Sequence, residues 1–181
     1  MVSSSQTLEM SESVGEVWRV LDTLTDPEIP VVTLREMGIV RAVELEPNNT
    51  VVVVITPTYS GCPAMEQIHD DICTAVKALG FQVRVRTQLA PAWTTDWMSD
   101  IAKEKLRAYG IAAPNRMCSG SSHDVNIVQF MRRPPNAESA VECPRCSSEN
   151  TVETSHFGST ACKALYKCLD CQEPFDYFKP Y

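Results

Sequence analysis

Apolar residues recur at helical spacing in three stretches of the chain, and the first stretch follows a capping-box pair, Ser13 and Glu16. This stripe is formed by Val14, Val17, Trp18, Leu21 and Leu24. Residues 1–10 are rich in serine and show no period, so we expect a frayed end there. Pro27 disfavours helix at the residue before it and ends the first helix.

Three strands are predicted from alternation and from one continuous apolar run. Residues 39–46 and 50–56 should form a hairpin around a turn at 47–49. The second of these strands is a run of valines, which predicts burial on both faces. Residues 81–86 alternate between apolar and polar side chains, which indicates a strand with one face in water.

Two further helices complete the first domain. The central helix is predicted to begin at Pro63, where the missing N–H costs nothing, and the last helix to span 96–109 with Gly110 as its C′ residue. The order α, β, β, α, β, α predicts an α+β domain over residues 11–113. Its small three-stranded sheet should be covered by helices on one face.

A linker is predicted over residues 114–141, which are polar and irregular. Residues 125–131 resemble a short strand, and Pro134 with Pro135 should stiffen the segment. Cys118 lies here among serines and a glycine, and we interpret it as incidental.

The charge pattern and the cysteine count narrow the class of protein. The formal net charge is −7 and the pI is near 5.0, which argues against a nucleic-acid-binding surface. No apolar run is long enough to span a bilayer and the start lacks the order of a signal peptide, so we expect a cytoplasmic protein without a membrane partner. Eight cysteines in a reducing compartment favour metal binding or thiol chemistry over disulfides.

Two C-x-x-C pairs, Cys143 with Cys146 and Cys168 with Cys171, are the strongest motif in the chain. A two-residue spacer lets one tight knuckle present two sulfurs to one ion, and four thiolates suit tetrahedral Zn²⁺. We therefore predict a zinc ribbon over residues 142–181. Because four protein ligands close the coordination sphere, the zinc should be structural.

Rubredoxin-type iron is the competing interpretation of the four cysteines. It is disfavoured because Ser147 and Gln172 occupy the positions where that knuckle usually has glycine. The residues from Glu138 onward carry four basic and seven acidic side chains, which favours protein docking over nucleic-acid binding. Cys162, a fifth cysteine of the ribbon, is predicted to pack in the core, with a spare sulfur or a second ligand mode as alternatives.

Cys62 lies where the valine strand gives way to the central helix. The positive end of a helix dipole favours a thiolate there, although a packed capping residue is an equally good interpretation of the position alone. Asp26 and Glu28 are held on a loop with two prolines and suit metal binding or proton transfer, with a plain acidic turn as the alternative. Cys62, Glu66, His69 and Cys73 share a helix face, but its ends are too far apart for one ion.

These residues carry a resemblance to known families. Asp26-Pro-Glu28, Gly38-Ile-Val40, Thr56 and Cys62-Pro63 resemble the SufT-like family of iron–sulfur assembly domains over about residues 13–113. The C-terminal cysteines, with 157–163 and 173–179, resemble the PaaD-type accessory subunits of phenylacetyl-CoA epoxidase. The resemblance implies a role in maturing an iron–sulfur or di-iron partner of aerobic phenylacetate degradation. It also implies that Cys62 is the reactive cysteine and that Asp26 and Glu28 form the acidic motif.

The resulting hypothesis is a non-enzymatic maturation factor. Cys62 would transiently hold iron or an iron–sulfur cluster, Asp26 or Glu28 would assist, and the ribbon would dock the client. The expected partners are the epoxidase subunits, above all the iron–sulfur reductase component. Two alternatives stay open: a stoichiometric structural subunit of the epoxidase, and a thiol-dependent enzyme, for which no His and Asn partners of Cys62 are evident.

Overall fold

The computed structural model describes residues 4–114 and 141–181, with side chains from residue 12 onward. The chain divides into two compact units, the first ending at Tyr109 and the second beginning at Gly110. The predicted fold class is confirmed: an α+β unit with a three-stranded sheet is followed by a small unit with its own sheet and a cysteine cluster. Within the described residues, no helix is both long enough and apolar enough to cross a membrane.

The central part of the predicted linker cannot be compared with the structure. Residues 115–140, which include Cys118, the predicted strand at 125–131 and the Pro134-Pro135 pair, lie outside the described residues. The extent of the linker therefore stays a prediction.

The described part of the first unit contains three α-helices: α1 spans Ser4–Leu21, α2 spans Met65–Ala78 and α3 spans Asp100–Tyr109. Helix α1 begins well before Ser13, so the predicted capping box and frayed start are wrong. Leucine, glutamate and methionine at positions 8–10 are good helix formers, which lets the helix extend toward the N-terminus.

Helix α3 starts later than predicted because Thr95–Trp97 form a separate 3₁₀ turn. Ser99 caps the helix: its Oγ accepts a hydrogen bond of 3.0 Å from the Ala102 N–H. The C-terminal prediction is confirmed, since Gly110 follows the helix with φ of +96°.

The sheet of the first unit has the order β1-β2-β3, with β1 at Val40–Glu46, β2 at Thr50–Ile55 and β3 at Gln82–Thr87. Strands β1 and β2 form the predicted antiparallel hairpin, and Asn49 in its turn has φ of +61°. Strand β3 runs parallel to β2, with α2 as the crossover. All six residues of β2 are buried, as the valine run predicts.

The second unit contains a four-stranded sheet of order β4-β7-β6-β5. Its strands are β4 at Ile111–Ala112, β5 at Thr151–Ser155, β6 at Lys163–Cys168 and β7 at Pro174–Phe178. The short β4 lies directly after α3 and pairs in parallel with β7, so the ribbon sheet recruits residues that precede the predicted linker. The core of this unit contains Ala112, Val141, Cys143, Ala164, Cys168, Phe175 and Tyr177.

Candidate metal centre and thiol site

Three loops of the first unit meet at one end of its sheet, the end where β2 finishes. The loop before β1 and the loop after β2 are joined by a hydrogen bond of 2.9 Å from the Thr56 N–H to the Ile39 carbonyl. The segment after β3 is joined to the same end by the Gln88 N–H, which donates to the Ile55 carbonyl at 2.8 Å. This end, called the Cys62 end below, therefore gathers the loops that carry Asp26, Thr56 and Cys62.

Asp26 organises the loop that precedes β1. Its side chain is buried, and Oδ1 accepts hydrogen bonds from the N–H groups of Glu28 and Ile29 at 2.8 and 2.9 Å. The Asp26 N–H donates in turn to the Val32 carbonyl at 3.0 Å. Asp26 thus holds the loop shape, while Glu28 is half-buried on the same turn.

Thr56 is the first residue after β2, and its hydroxyl is a buried polar atom that the fold does not satisfy. The residue is 1% exposed, and Oγ1 has no hydrogen-bond partner among the described residues. Leaving a buried hydroxyl unpaired costs about 1–3 kcal/mol. The hydroxyl is therefore a candidate donor or acceptor for a bound group at the Cys62 end.

Cys62 is half-buried and lies in the turn before α2. The helix begins two residues later than Pro63, with Ala64 as its N-cap and no side-chain capping bond, so the prediction of Pro63 as first helical residue is wrong. The Cys62 N–H donates to the Tyr59 carbonyl at 3.2 Å, and the Cys62 carbonyl accepts from the Met65 N–H at 3.4 Å. The cysteine thus lies in a tight turn just ahead of the positive end of the α2 dipole.

Along α2, His69 and Cys73 form a close pair on the surface. Cys73 Sγ lies 3.9 Å from His69 Nδ1, and His69 Nδ1 lies 3.2 Å from Asp70 Oδ1. Cys73 is half-buried and His69 is 50% exposed, so neither residue belongs to the buried core face of the helix. The structure keeps Ile68, Ile72 and Val76 as the core face of the helix.

Sequence reasoning missed two tryptophans that contact the loop before β1 at the Cys62 end. The Trp93 indole is buried and its Nε1–H donates to the Met37 carbonyl at 3.0 Å. A Cβ added to Gly38, whose φ is +72°, would lie 2.7 Å from the Trp97 carbonyl oxygen. Two tryptophans in an aperiodic, proline-containing segment were the available signal, because large aromatic side chains in loops usually pack onto the core.

The four ribbon cysteines come together in space. The sulfurs of Cys143, Cys146, Cys168 and Cys171 all lie within 4.8 Å of one another. Cys143 Sγ and Cys171 Sγ are 3.8 Å apart, and Cys146 Sγ and Cys168 Sγ are 3.6 Å apart. A tetrahedral ion with Zn–S bonds near 2.3 Å requires sulfur–sulfur distances of about 3.8 Å. The donor set therefore fits a tetrahedral metal ion.

The two knuckles share one backbone conformation. Ser147 and Gln172, each directly after the second cysteine of its pair, have φ of +60° and +64°. The left-handed turn usual for glycine is thus present without glycine. The backbone of these knuckles therefore does not distinguish zinc from rubredoxin-type iron, and the preference for zinc stays a prediction at this point.

The thiols of the cluster differ in acidity. The Cys171 N–H donates a hydrogen bond to Cys168 Sγ and is the largest of the effects that lower the Cys168 pKa. The Asp170 amide and the neighbouring thiols lower this pKa further, so that it reaches about 7 although burial raises it. The Ser148 amide lowers the Cys146 pKa, but burial and hydrogen bonds from the other three thiols outweigh it and raise that pKa to about 12. Four thiolates at this spacing therefore need a cation to ionise together.

Cys162 packs inside the ribbon. It is 4% exposed, and its Sγ lies 2.9 Å from the Thr160 hydroxyl rather than in the four-sulfur group. The position agrees with the predicted packing role.

Comparison with known families matches each unit to a different model. Residues 129–179 match a family model described as PaaD zinc beta ribbon domain, and residues 15–86 match one described as iron-sulfur cluster assembly protein. The chain is similar to an Escherichia coli K12 protein that is named as one of the subunits of a "Putative 1,2-phenylacetyl-CoA epoxidase". The two are 48% identical over 167 residues, which cover 92% of each chain.

The first unit has relatives of its own. It is similar to a Porphyromonas gingivalis protein named "Fe-S protein maturation auxiliary factor", at 31% identity over 100 residues that cover 54% of this chain and 94% of that protein. A crystal structure of a domain of unknown function, DUF59, from Bacillus anthracis aligns with a TM-score of 0.51 at 26% identity. It covers 55% of this chain and 96% of the other.

Proposed function

Because the chain belongs to the family of this Escherichia coli epoxidase protein, we propose that it is a maturation factor for the metal centre of a phenylacetyl-CoA epoxidase. In this proposal the first unit carries iron or an iron–sulfur cluster to a client subunit of the epoxidase. The client is the subunit that receives the metal, and the iron–sulfur reductase component is the first candidate. The similarity of the first unit to an Fe-S protein maturation auxiliary factor supports the proposal.

The observation that carries this function is that the loop of Asp26 leads into β1 at the same end of the sheet where the segment of Thr56 and Cys62 leaves β2. A thiol, an acidic loop and an unsatisfied buried hydroxyl, that of Thr56, belong to loops joined by backbone hydrogen bonds. A thiolate suits iron as a soft ligand, and a carboxylate can accept the thiol proton when iron binds. The arrangement therefore suits temporary holding of a metal cargo.

The chemistry assigned to these residues is ligand exchange without a change of oxidation state. The Cys62 thiol loses its proton as its sulfur binds iron, with Glu28 as the proton acceptor and the Asp26 carboxylate holding the loop. The bond from Cys62 to iron then breaks as a client thiolate takes the same coordination position. One protein thiolate in this turn favours release, because a single sulfur does not close a full coordination sphere around the cargo.

The four ribbon cysteines would hold a structural zinc ion, which when bound supplies a fixed cross-link between the two knuckles. The ribbon then serves as the docking module. A module tethered to its neighbour raises the local concentration of that neighbour to roughly the millimolar range, so a weak delivery contact suffices.

A second candidate function is a stoichiometric structural subunit of the epoxidase. The name of the Escherichia coli relative, which includes the word subunit, favours it. The two candidates differ in whether active purified epoxidase contains this chain. A maturation factor is absent from the active complex at stoichiometric amounts, and a structural subunit is present.

Anaerobic iron binding tests the proposed role of Cys62. Purified full chain is incubated with ferrous iron and sulfide, desalted, and analysed for iron, sulfide and zinc. We expect Cys62→Ala to retain zinc and lose the bound iron, whereas Cys73→Ala, the matched control on the helix that follows Cys62, keeps both. Equal iron in the wild-type chain and in Cys62→Ala would contradict the proposal.

A further inference from the structure

Phe157 stands out on the ribbon because it is a large apolar side chain that is 63% exposed on a tightly held loop. It lies between β5 and β6. Val152 and Leu165, which are 43% and 37% exposed, lie on these two strands. We refer to Phe157, Val152 and Leu165 together as the ribbon patch.

The loop that presents Phe157 is held by hydrogen bonds at residues 155, 157 and 158. The Ser155 hydroxyl donates to the Phe157 carbonyl at 2.8 Å, and the Phe157 N–H donates to the Ser155 hydroxyl oxygen at 3.4 Å. The Gly158 N–H donates to the Lys163 carbonyl at 2.8 Å. A Cβ at Gly158 would lie 3.2 Å from Asp176 Oδ1, so a side chain at this position would crowd that carboxylate.

Lys179 and His156 complete the support of the ring. The Lys179 ammonium lies 4.5 Å from the centre of the Phe157 ring and donates to the His156 carbonyl at 3.2 Å. The His156 ring meets the Phe157 ring edge-on, with 5.0 Å between centroids. Phe157 is thus ordered before any partner arrives, which removes part of the entropy cost of binding.

The charges around the patch indicate the chemistry of the partner. Glu153 is engaged by the Tyr166 hydroxyl at 3.1 Å and by His156 at 3.2 Å, and Asp176 pairs with the buried Lys163 at 3.4 Å. Lys179 has no carboxylate partner among the residues that the structure describes. Among the described residues, the charge beside Phe157 that has no ion-pair partner is therefore positive, although the ribbon as a whole is acidic.

We propose that the ribbon patch docks a protein partner that offers an apolar pocket for Phe157 and a carboxylate for Lys179. This inference rests on the proposed function, so the partner is a subunit of the epoxidase. A rigid exposed aromatic residue with a cation beside it has the character of an interface hot spot. Lys179 adds electrostatic steering, which acts mainly on the association rate at low salt.

Binding of purified epoxidase subunits to the full-length, zinc-loaded chain tests the patch. We expect Phe157→Ala to weaken the affinity at least tenfold. Lys179→Met keeps the aliphatic stem over the ring and should lower the association rate in low salt, with little difference at 0.5 M salt. Leu89→Ala, an equally exposed apolar residue of the first unit, is the control and should bind within twofold of wild type.

The outcomes separate this inference from the proposed function. Zinc content and thermal melting verify that the variants are folded, and Lys179→Met gives the test a second variant if Phe157→Ala loses zinc. If Phe157→Ala and Lys179→Met both bind within twofold of wild type, the ribbon patch is not the docking surface. This conclusion holds even if Cys62→Ala still blocks maturation. A wild-type dimer that Phe157→Ala converts to a monomer also overturns it, because the occupant is then a second copy of this chain. Intact maturation by Cys62→Ala contradicts the proposed function instead.

Discussion

Arg84 on β3 forms an ion pair with Glu46 on β1, with 3.3 Å between Nη1 and Oε1, although the two strands are not neighbours in the sheet. Arg86 and Glu44 repeat the arrangement at 3.1 Å. Both pairs cross the central strand on the face where Val52 is in register with Glu44 and Arg84. These long charged side chains therefore cover one face of β2, which explains how this strand is buried on both faces.

The covering role of these side chains is testable at Arg84. An exposed ion pair contributes about 0.2–1 kcal/mol, whereas loss of the aliphatic stem also exposes the valine beneath. We expect Arg84→Met to lower the free energy of unfolding by less than about 0.5 kcal/mol, and Arg84→Ala by about 1 kcal/mol or more. Urea unfolding at low and high salt measures both. Equal losses for the two variants would show that charge alone matters.

Gly38 should be intolerant of a side chain. Its φ of +72° is unfavourable for alanine, and the added Cβ would lie 2.7 Å from the Trp97 carbonyl oxygen. We expect Gly38→Ala to cost about 2 kcal/mol or more, measured by thermal unfolding. Gly80→Ala is the matched control, because Gly80 has φ of +87° with nothing within 4 Å of its Cβ position, and it should cost about 1 kcal/mol. Similar losses at both sites would exclude the close approach as the cause.

The sequence predicted the parts of the fold that depend on local pattern. The valine run at 51–54 predicts a strand that is buried on both faces, and the residues around Asn49 predict a hairpin. Both predictions hold because strand burial and turn type depend on residues that are neighbours in the sequence. The first residues of the helices are the part of the fold that the sequence predicts least well. The start of α2 depends on how the Cys62 turn is bonded to Tyr59, which no periodicity reveals.

The candidate site also has features that local sequence pattern predicts and features that it does not. The paired spacing of Cys143, Cys146, Cys168 and Cys171 was enough to single out the four sulfurs that the structure brings together. The support that Trp93 gives to Met37 was not predictable, since it joins residues far apart in the chain. The exposure of Phe157 was equally hidden, because no local sequence pattern marks this aromatic residue as exposed.

The positive φ of Ser147 predicts a response to substitution in the first knuckle. Glycine removes the strain of a left-handed residue but loses more conformational entropy on folding, so Ser147→Gly should stabilise the metal-loaded ribbon by about 0.5–1 kcal/mol. Ser147→Val should destabilise it, because a β-branched residue is poorly accommodated at this φ. Thermal melting with zinc in excess measures the difference. A ribbon that melts at the same temperature with glycine and valine would contradict the strain argument.

Metal dependence of the ribbon is tested by Cys168→Ser. Because the ribbon core is small, we expect the variant to lose its one tightly held zinc and the ordered ribbon, while the first unit stays folded. Elemental analysis and hydrogen exchange measured on the full chain follow the two units separately. Cys162→Ser, at a buried cysteine outside the four-sulfur group, should keep the zinc. Iron in place of zinc in the wild-type chain, or full zinc in Cys168→Ser, would contradict the assignment.

We propose that Cys62 carries metal to an epoxidase subunit, so the metal content of that subunit is the measurement that decides this role. Epoxidase subunits are purified anaerobically from cells that contain the wild-type chain, Cys62→Ala, Cys73→Ala or no copy of the chain. Iron and acid-labile sulfide are then measured per subunit. We expect the subunits from Cys62→Ala cells to have the low iron and sulfide content found without the chain, and those from Cys73→Ala cells to match wild type. Full iron and sulfide in the subunits from Cys62→Ala cells would contradict it.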